Sequence, residues 1–290
     1  MKPNQASNTA KVIAASTILL ASDAGTAGQV AAGAAALCQT FLSGTRNDRW
    51  LARSAKWPPT RLLWRWLERL TLPGIISHYW HRKRWIESRC RDAIADGFER
   101  VIVLGAGYDT LTQRLAREFS QLAFIEVDHP ATQNSKRQAL RGDSMLPSNL
   151  TYVALDLSVD PLPATLLQDD MATIVVIEGM LMYLNPPDVD RLFGLLRQLS
   201  AKRVRIVFSF MSEWPDGRCG FRPYSWLIER WLAWRNEPFT WAINSRLLAE
   251  FLATRGFKMI ELATTRDFSE SSTAKPSSLE GENLVVCEPT

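Results

Sequence analysis

The sequence predicts an α/β fold: a doubly wound, mostly parallel seven-stranded sheet, with an N-terminal helical extension and a helical lid inserted after the fifth strand. Three observations carry this. Short β-branched apolar runs alternate with helix-period segments through the middle of the chain, the pattern of βαβ units. All eleven tryptophans fall outside that stretch, six from Trp50 to Trp85 and five from Trp214 to Trp241. The first apolar run, Val101–Leu104, ends in Gly105-Ala106-Gly107, where a strand passes into a glycine turn.

The elements follow in chain order. Lys2 and Lys11 precede Val12–Leu20, an apolar stretch of signal-peptide length. It continues through Asp23 into Ala27–Leu37, which still reads as helix, so a packed N-terminal helical region is expected rather than a cleaved signal. No uninterrupted apolar run reaches the roughly 18–20 residues of a membrane span, so no integral membrane segment is expected. After Pro58-Pro59, Thr60 is expected to cap a helix over Arg61–Leu70, with Arg61, Arg65 and Arg69 on one face. The reading adopted is an ordinary amphipathic helix with a solvated basic face. The alternative is a membrane-surface helix with Trp64 and Trp66 at the interface.

The strands read as Val101–Leu104, Leu122–Asp128, Leu150–Leu157, Thr173–Glu178, Val204–Phe210, Phe257–Leu262 and Leu284–Cys287. A continuous apolar run such as Ile174–Ile177 suits a central strand covered on both faces. Leu227, Trp231 and Trp234 form a helical stripe that is core or lid, and Asp267–Asn283 reads as a long loop. The expected division is a helical cap region over 1–90 and a core over 91–290, with the lid at about 212–245.

Composition narrows the function classes. The 290 residues are 46% hydrophobic, enough for one α/β domain with attachments. A net charge of +4 is too weak for a dedicated nucleic-acid binder, so none is expected as partner. Cys38, Cys90, Cys219 and Cys287 match no metal or redox spacing; a reduced, cytoplasmic protein without a metal site is expected.

The glycine turn carries the chemistry. A strand end of glycines lets a ligand approach the backbone, and an acidic residue about 20 positions on, in Glu126-Val127-Asp128, can bind a ribose diol. Position 110 is Thr where a dinucleotide fingerprint has its third glycine. A pyrophosphate needs that close approach to a helix N-terminus; a cofactor without phosphate does not. S-adenosylmethionine is the obvious cofactor of that kind.

With these residues in place, the chain resembles the leucine carboxyl methyltransferase family, which includes bacterial polyketide O-methyltransferase relatives. Glu99–Thr110 with Arg114-Leu115 looks like its first cofactor motif, and Phe124–Pro130 with Lys136 is similar to its second. Ala154–Leu157 resembles the third motif, Ile177–Leu184 the fourth, and Glu237-Pro238-Phe239 with Leu248–Phe257 its last helix and strand. The resemblance covers roughly residues 78–263 and implies a Rossmann-like fold with S-adenosylmethionine as cofactor. The family's Arg-Ala pair and Asp-Pro are replaced here, in a stretch reading Ser16-Thr17-Ile18-Leu19, which places the difference in substrate recognition.

The resemblance also distributes roles. Gly105 and Gly107 would leave room for the amino-acid end of the cofactor. Asp128 would accept from the ribose hydroxyls, with Glu126 as competitor because strand alternation puts both on one face. Asp156 and Leu157 would flank the adenine, Glu178 would meet the amino group, and Arg82 would pair with the carboxylate. Tyr183, the one catalytic candidate, would face the substrate, and Lys11 is a loose match to a family lysine. Methyl transfer needs a base for a phenol but none for a carboxylate. Three histidines without an obvious place at the acceptor, and Arg218, Arg222, Arg230 and Arg235 in the lid, favour a small-molecule carboxylate held by lid arginines. The alternatives are a protein C-terminal carboxylate, a nicotinamide-dependent dehydrogenase, and a non-catalytic membrane-surface binding protein.

Overall fold

Val101–Leu104 has no polar side, and strand β1 (Arg100–Leu104) is accordingly buried along its whole length. β4 (Thr173–Ile177) is buried in the same way beside it. The computed structural model describes residues 6–141, 146–163, 170–199, 203–270 and 279–290. Around these two central strands lie β2 (Ala123–Asp128), β3 (Leu150–Ala154), β5 (Val204–Met211), β6 (Phe257–Ala263) and β7 (Glu282–Pro289). Their order in the sheet is β3-β2-β1-β4-β5-β7-β6. The first five strands run parallel, and β7 pairs antiparallel with both β5 and β6.

Alternation along the strands splits the core in two. Ile102 and Leu104 pack with Val175 and Ile177 under α8 (Pro186–Gln198) and α10 (Leu248–Ala253), which supply Phe193, Leu196 and Leu252. Val101 and Val103 face the other way with Ile174 and Val176, covered by α5 (Ile75–Ala95) and α6 (Leu111–Glu118) through Ile86, Cys90 and Leu115. Both faces of a parallel sheet are covered, as its hydrophobic runs require. The register then fixes one edge. Leu104 lies opposite Val127 on one side and Ile177 on the other, so Gly105, Asp128 and Glu178 leave the sheet at one level. Between β1 and β4 the chain order reverses, which opens a crevice at the carboxyl ends of the strands.

The N-terminal helices form a third cluster on this frame. Helix α1 (Asn8–Ala21) buries Ala14, Ile18 and Leu19 against α2 (Ala34–Phe41) and α3 (Arg46–Lys56), and against Tyr108 and Leu140. Ala27–Leu37, expected to continue as helix, instead makes a 3-10 turn at Ala27–Gln29 and restarts at Ala34, after Gly33 in the left-handed region (φ +78°).

Two further expectations change. Helix α4 (Pro58–Thr71) begins at the proline, which suits a first-turn position, with Trp57 as the cap residue. Thr60 lies inside the helix and donates back to the Ser54 and Trp57 carbonyls. The loop read over Asp267–Asn283 is shorter than expected. Helix α11 (Thr265–Glu270) takes its start, and Glu282 and Asn283 belong to β7; residues 271–278 lie outside the described part. Helix α7 (Pro130–Ala139) and the lid helix α9 (Trp226–Arg235) complete the described helices used below. Among the described residues no helix is long and apolar enough to cross a membrane.

Candidate functional site

A cavity of 1220 Å³ opens at the carboxyl ends of β1 and β4, roofed by α1, α4 and the lid. Arg82, Gly105, Gly107, Asp128, Asp156, Leu157, Glu178 and Tyr183 all line it. Those residues come from four strand ends and one helix, between Arg82 and Tyr183, so the sheet topology is what assembles them.

The floor is the glycine turn. Gly105 sits at φ +70°, and a Cβ there would meet the Met180 Sδ at 2.7 Å. Gly107, at φ +51°, would bring a Cβ to 3.2 Å from the Ala10 methyl of α1. Its amide donates to Asp128 Oδ2. Burial pushes the Asp128 carboxyl up to about 6, and the amides of Gly107 and His129 offset only part of that.

Glu126 is not a rival for the same place. Its carboxylate turns inward to Lys136 Nζ at 2.8 Å and to the Thr112 hydroxyl, and both members of the ion pair are buried. Two residues on one strand face thus divide by partner. Glu126 lies under α7, while Asp128 reaches the cavity.

On the next strand end, Asp156 accepts from the Ser158 amide and hydroxyl, which hold its carboxyl below the usual range against partial burial. Leu157 is buried beside it. His129 uses Nδ1 to accept from the Ala131 amide and so caps α7, with Nε2 3.7 Å from Asp156.

The opposite wall is an ionic network. Arg82 directs Nη1 to both oxygens of Glu282, at 2.8 and 2.9 Å, and Nε and Nη2 to Glu178 Oε1. His78 Nε2 lies 2.7 Å from Glu282, which the arginine and histidine hold down at about 2 despite burial. Arg82 is therefore braced by two protein carboxylates, a fuller commitment than the resemblance implies. Lys83 adds a second cation, 2.8 Å from Asp109 and 3.0 Å from Glu178. It holds the Asp109 carboxyl near 2. Sequence reading missed Lys83 and Asp109. Their adjacency to Arg82 and Gly107 was the available signal.

Tyr183 lies with its ring 5.5 Å from that of Phe239. Burial, then the nearby Tyr79 and Glu237, push its phenol well above the ordinary value, so it stays protonated. Glu237 closes the roof. It accepts from the Asn8 and Thr9 amides at 3.1 Å and from the Thr9 hydroxyl, pinning the lid to the start of α1. The position suits an anion, since the first amides of a helix carry positive partial charge.

The lid arginines are placed otherwise than expected. None of Arg218, Arg222, Arg230 and Arg235 lines the cavity. Arg218 and Arg222 pair with Asp216, and Arg235 stacks on Trp234 at 4.4 Å. The expected stripe also rotates: Ile228, Trp231 and Leu232 face the cavity, while Leu227 and Trp234 are exposed. Lys11 lies off the cavity as well, paired with Asp48 at 2.8 Å.

Comparison with known proteins gives the family and the fold. A family model described as leucine carboxyl methyltransferase matches residues 33–197, more than half of the chain. A protein of Mycolicibacterium gilvum (strain PYR-GCK), provisionally named an S-adenosyl-L-methionine-dependent methyltransferase, is 34% identical over 132 residues. That match takes in 43% of this chain and 42% of the relative. A Mycobacterium ulcerans (strain Agy99) protein of the same provisional name is 29% identical over 209 residues, 67% of this chain and 64% of its own. The chain thus spans less than two thirds of the length of these relatives. Among solved structures, a provisionally named methyltransferase from Thermobifida fusca YX superposes with a TM-score of 0.57 at 17% identity. It covers 88% of this chain and 93% of its own, and shares the fold.

Proposed function

The chain belongs to the leucine carboxyl methyltransferase family, and on that premise we propose that it is an S-adenosylmethionine-dependent O-methyltransferase acting on a small, largely apolar acceptor. The observation that carries the reading is Asp128: a buried carboxylate that ends β2 beside the glycine floor and lines the cavity, its pKa pushed up to about 6 by burial. Two ribose hydroxyls would add donors to this carboxylate. The rest of the wall fits the cofactor as well. Asp156 and Leu157 offer an acceptor and an apolar cover for a purine, and Lys83 with Arg82, facing Glu178 and Asp109, suits a zwitterionic amino acid.

S-adenosylmethionine, when bound, supplies an activated methyl group. The residues of the chain have then to bind, orient and exclude water. The lid and α1, tied by Glu237, roof the cavity. Phe221, Ile228, Trp231 and Phe239 give the acceptor end an apolar, aromatic lining. Tyr183, held protonated, would donate a hydrogen bond to an acceptor oxygen and position it.

Two acceptor groups are consistent with an O-methyltransferase. A carboxylate is favoured because His129, on the Asp156 side, is the cavity-lining histidine, so among the described residues no imidazole base stands at the acceptor end. A hydroxyl is favoured by Glu237, an anion in the wall, and by lid arginines that point elsewhere. The product separates them: a methyl ester releases methanol in mild base, and a methyl ether does not. A cytoplasmic location is part of the proposal, supported by four free cysteines. Calorimetric titration tests the cofactor. S-adenosylmethionine should bind and NAD should not, and Asp128→Ala should lose at least about 1 kcal/mol, roughly fivefold in affinity. Equal affinity in the variant would remove Asp128 from the site.

A further inference from the structure

Helix α4 is turned the opposite way from an ordinary amphipathic helix. It has no buried residue. Arg61 donates to the Ser22 carbonyl, Arg65 reaches Asp23 and Glu68, and Trp64 Nε1 donates to Ser54. These residues face the protein. The apolar side, Leu62, Leu63, Trp66, Leu67 and Leu70, faces solvent at 46–74% exposure. Trp50 and Trp57, from α3 and its junction with α4, add two more rings at 67% and 61% exposure. The solvated basic face expected from the sequence is reduced to Arg69.

Charge accompanies the apolar side along the chain. Residues 46–71 contain seven Arg and Lys against Asp48 and Glu68, a net +5, whereas the whole chain carries +4. The molecule's positive excess therefore resides here. Both acids are already paired, Asp48 with Lys11 and Glu68 with Arg65. Arg46, Arg49, Arg53, Lys56 and Arg69 are exposed.

This combination selects among occupants. A two-fold dimer would set the same net +5 surface against itself, and like charges across an interface repel. An anionic bilayer accepts both properties at once: apolar side chains enter the acyl boundary, tryptophans sit at headgroup level, and Arg and Lys meet the lipid charge. We propose that α3 and α4 dock this protein on an anionic membrane surface. The same helix lines the cavity with Trp64, Leu67, Glu68 and Thr71, so docking sets one cavity wall at the bilayer.

Vesicle cosedimentation of the full chain tests this, using phosphatidylcholine alone and phosphatidylcholine with about 30% phosphatidylglycerol. The wild type is expected in the pellet with the anionic vesicles and in the supernatant with the neutral ones. The variant Leu62→Gln/Trp66→Gln/Leu70→Gln keeps helix-forming residues at exposed positions off the cavity wall, and should bind at least about tenfold more weakly. Arg46→Gln/Arg49→Gln/Arg53→Gln should lose the preference for anionic lipid. Circular dichroism and cofactor titration confirm that each variant is folded. A wild type that pellets with neither vesicle, or variants that pellet as it does, would overturn the proposal. So would a wild-type dimer, seen by light scattering, that the Leu-Trp-Leu variant converts to monomer; that result gives the face to a second copy.

Discussion

Asp128 and Glu126 show what decides a role at the scale of single residues. Both leave β2 on one face, and alternation alone cannot separate them. Lys136 does, by claiming Glu126 in a buried pair. Opposite consequences follow. Glu126→Gln leaves a buried ammonium without its counter-ion and should destabilise the protein by about 3–5 kcal/mol, read in denaturant or thermal unfolding. Asp128→Ala should act on cofactor affinity instead.

A pH signature belongs to the same residue. The Asp128 carboxyl is raised from its ordinary value to about 6 in the folded protein, mainly by burial. Its contribution to folding stability is therefore full at acid pH and is lost as pH rises through about 6. A ligand that donates to the carboxylate favours the ionised form. S-adenosylmethionine affinity should then fall as pH drops below about 6, and binding near that pH should release a proton. Calorimetry in two buffers of different ionisation enthalpy measures the release; none, in the wild type, contradicts the assignment.

At the scale of elements, legibility followed periodicity. β1 and β4 were readable because an apolar run without polar interruption has few other places to go. Helix α4 was readable as a helix, but its moment defines two sides without saying which one meets the protein. Ser22 and Asp23 settled that by holding Arg61 and Arg65. Arg218, Arg222 and Arg235 lie off the cavity because their directions depend on Asp216 and Trp234, contacts with no sequence period. Glu237 belongs to a sequence motif, whereas its bonds to Asn8 and Thr9 reach 228 or more positions away. That clasp predicts a local effect. Glu237→Ala should speed amide exchange over the first turns of α1 and through α9, leaving β1 and β4 protected. Unchanged exchange in both helices would mean that other contacts hold the roof.

At the scale of the whole molecule, sheet order does what no motif does alone. Gly105, Asp128 and Glu178 face one crevice because Leu104 aligns with Val127 and Ile177. The sequence supplied the strands in order, and hence the class of fold; the register, the paired Arg82 and the reversed α4 are tertiary facts. The site also depends on the N-terminal helices, since Ala10 of α1 packs 3.2 Å from where a Gly107 Cβ would lie. Gly107→Ala should therefore disturb both the floor and α1, lowering cofactor affinity about fivefold or more, as strained backbone of this kind costs about 1–3 kcal/mol. The most direct measurement is a calorimetric titration of the wild type and Asp128→Ala with S-adenosylmethionine, with NAD as control. Saturable one-to-one binding of S-adenosylmethionine alone, weakened at least about fivefold by the substitution, is the predicted result. Binding of NAD instead, or an affinity that Asp128→Ala leaves unchanged, would contradict it.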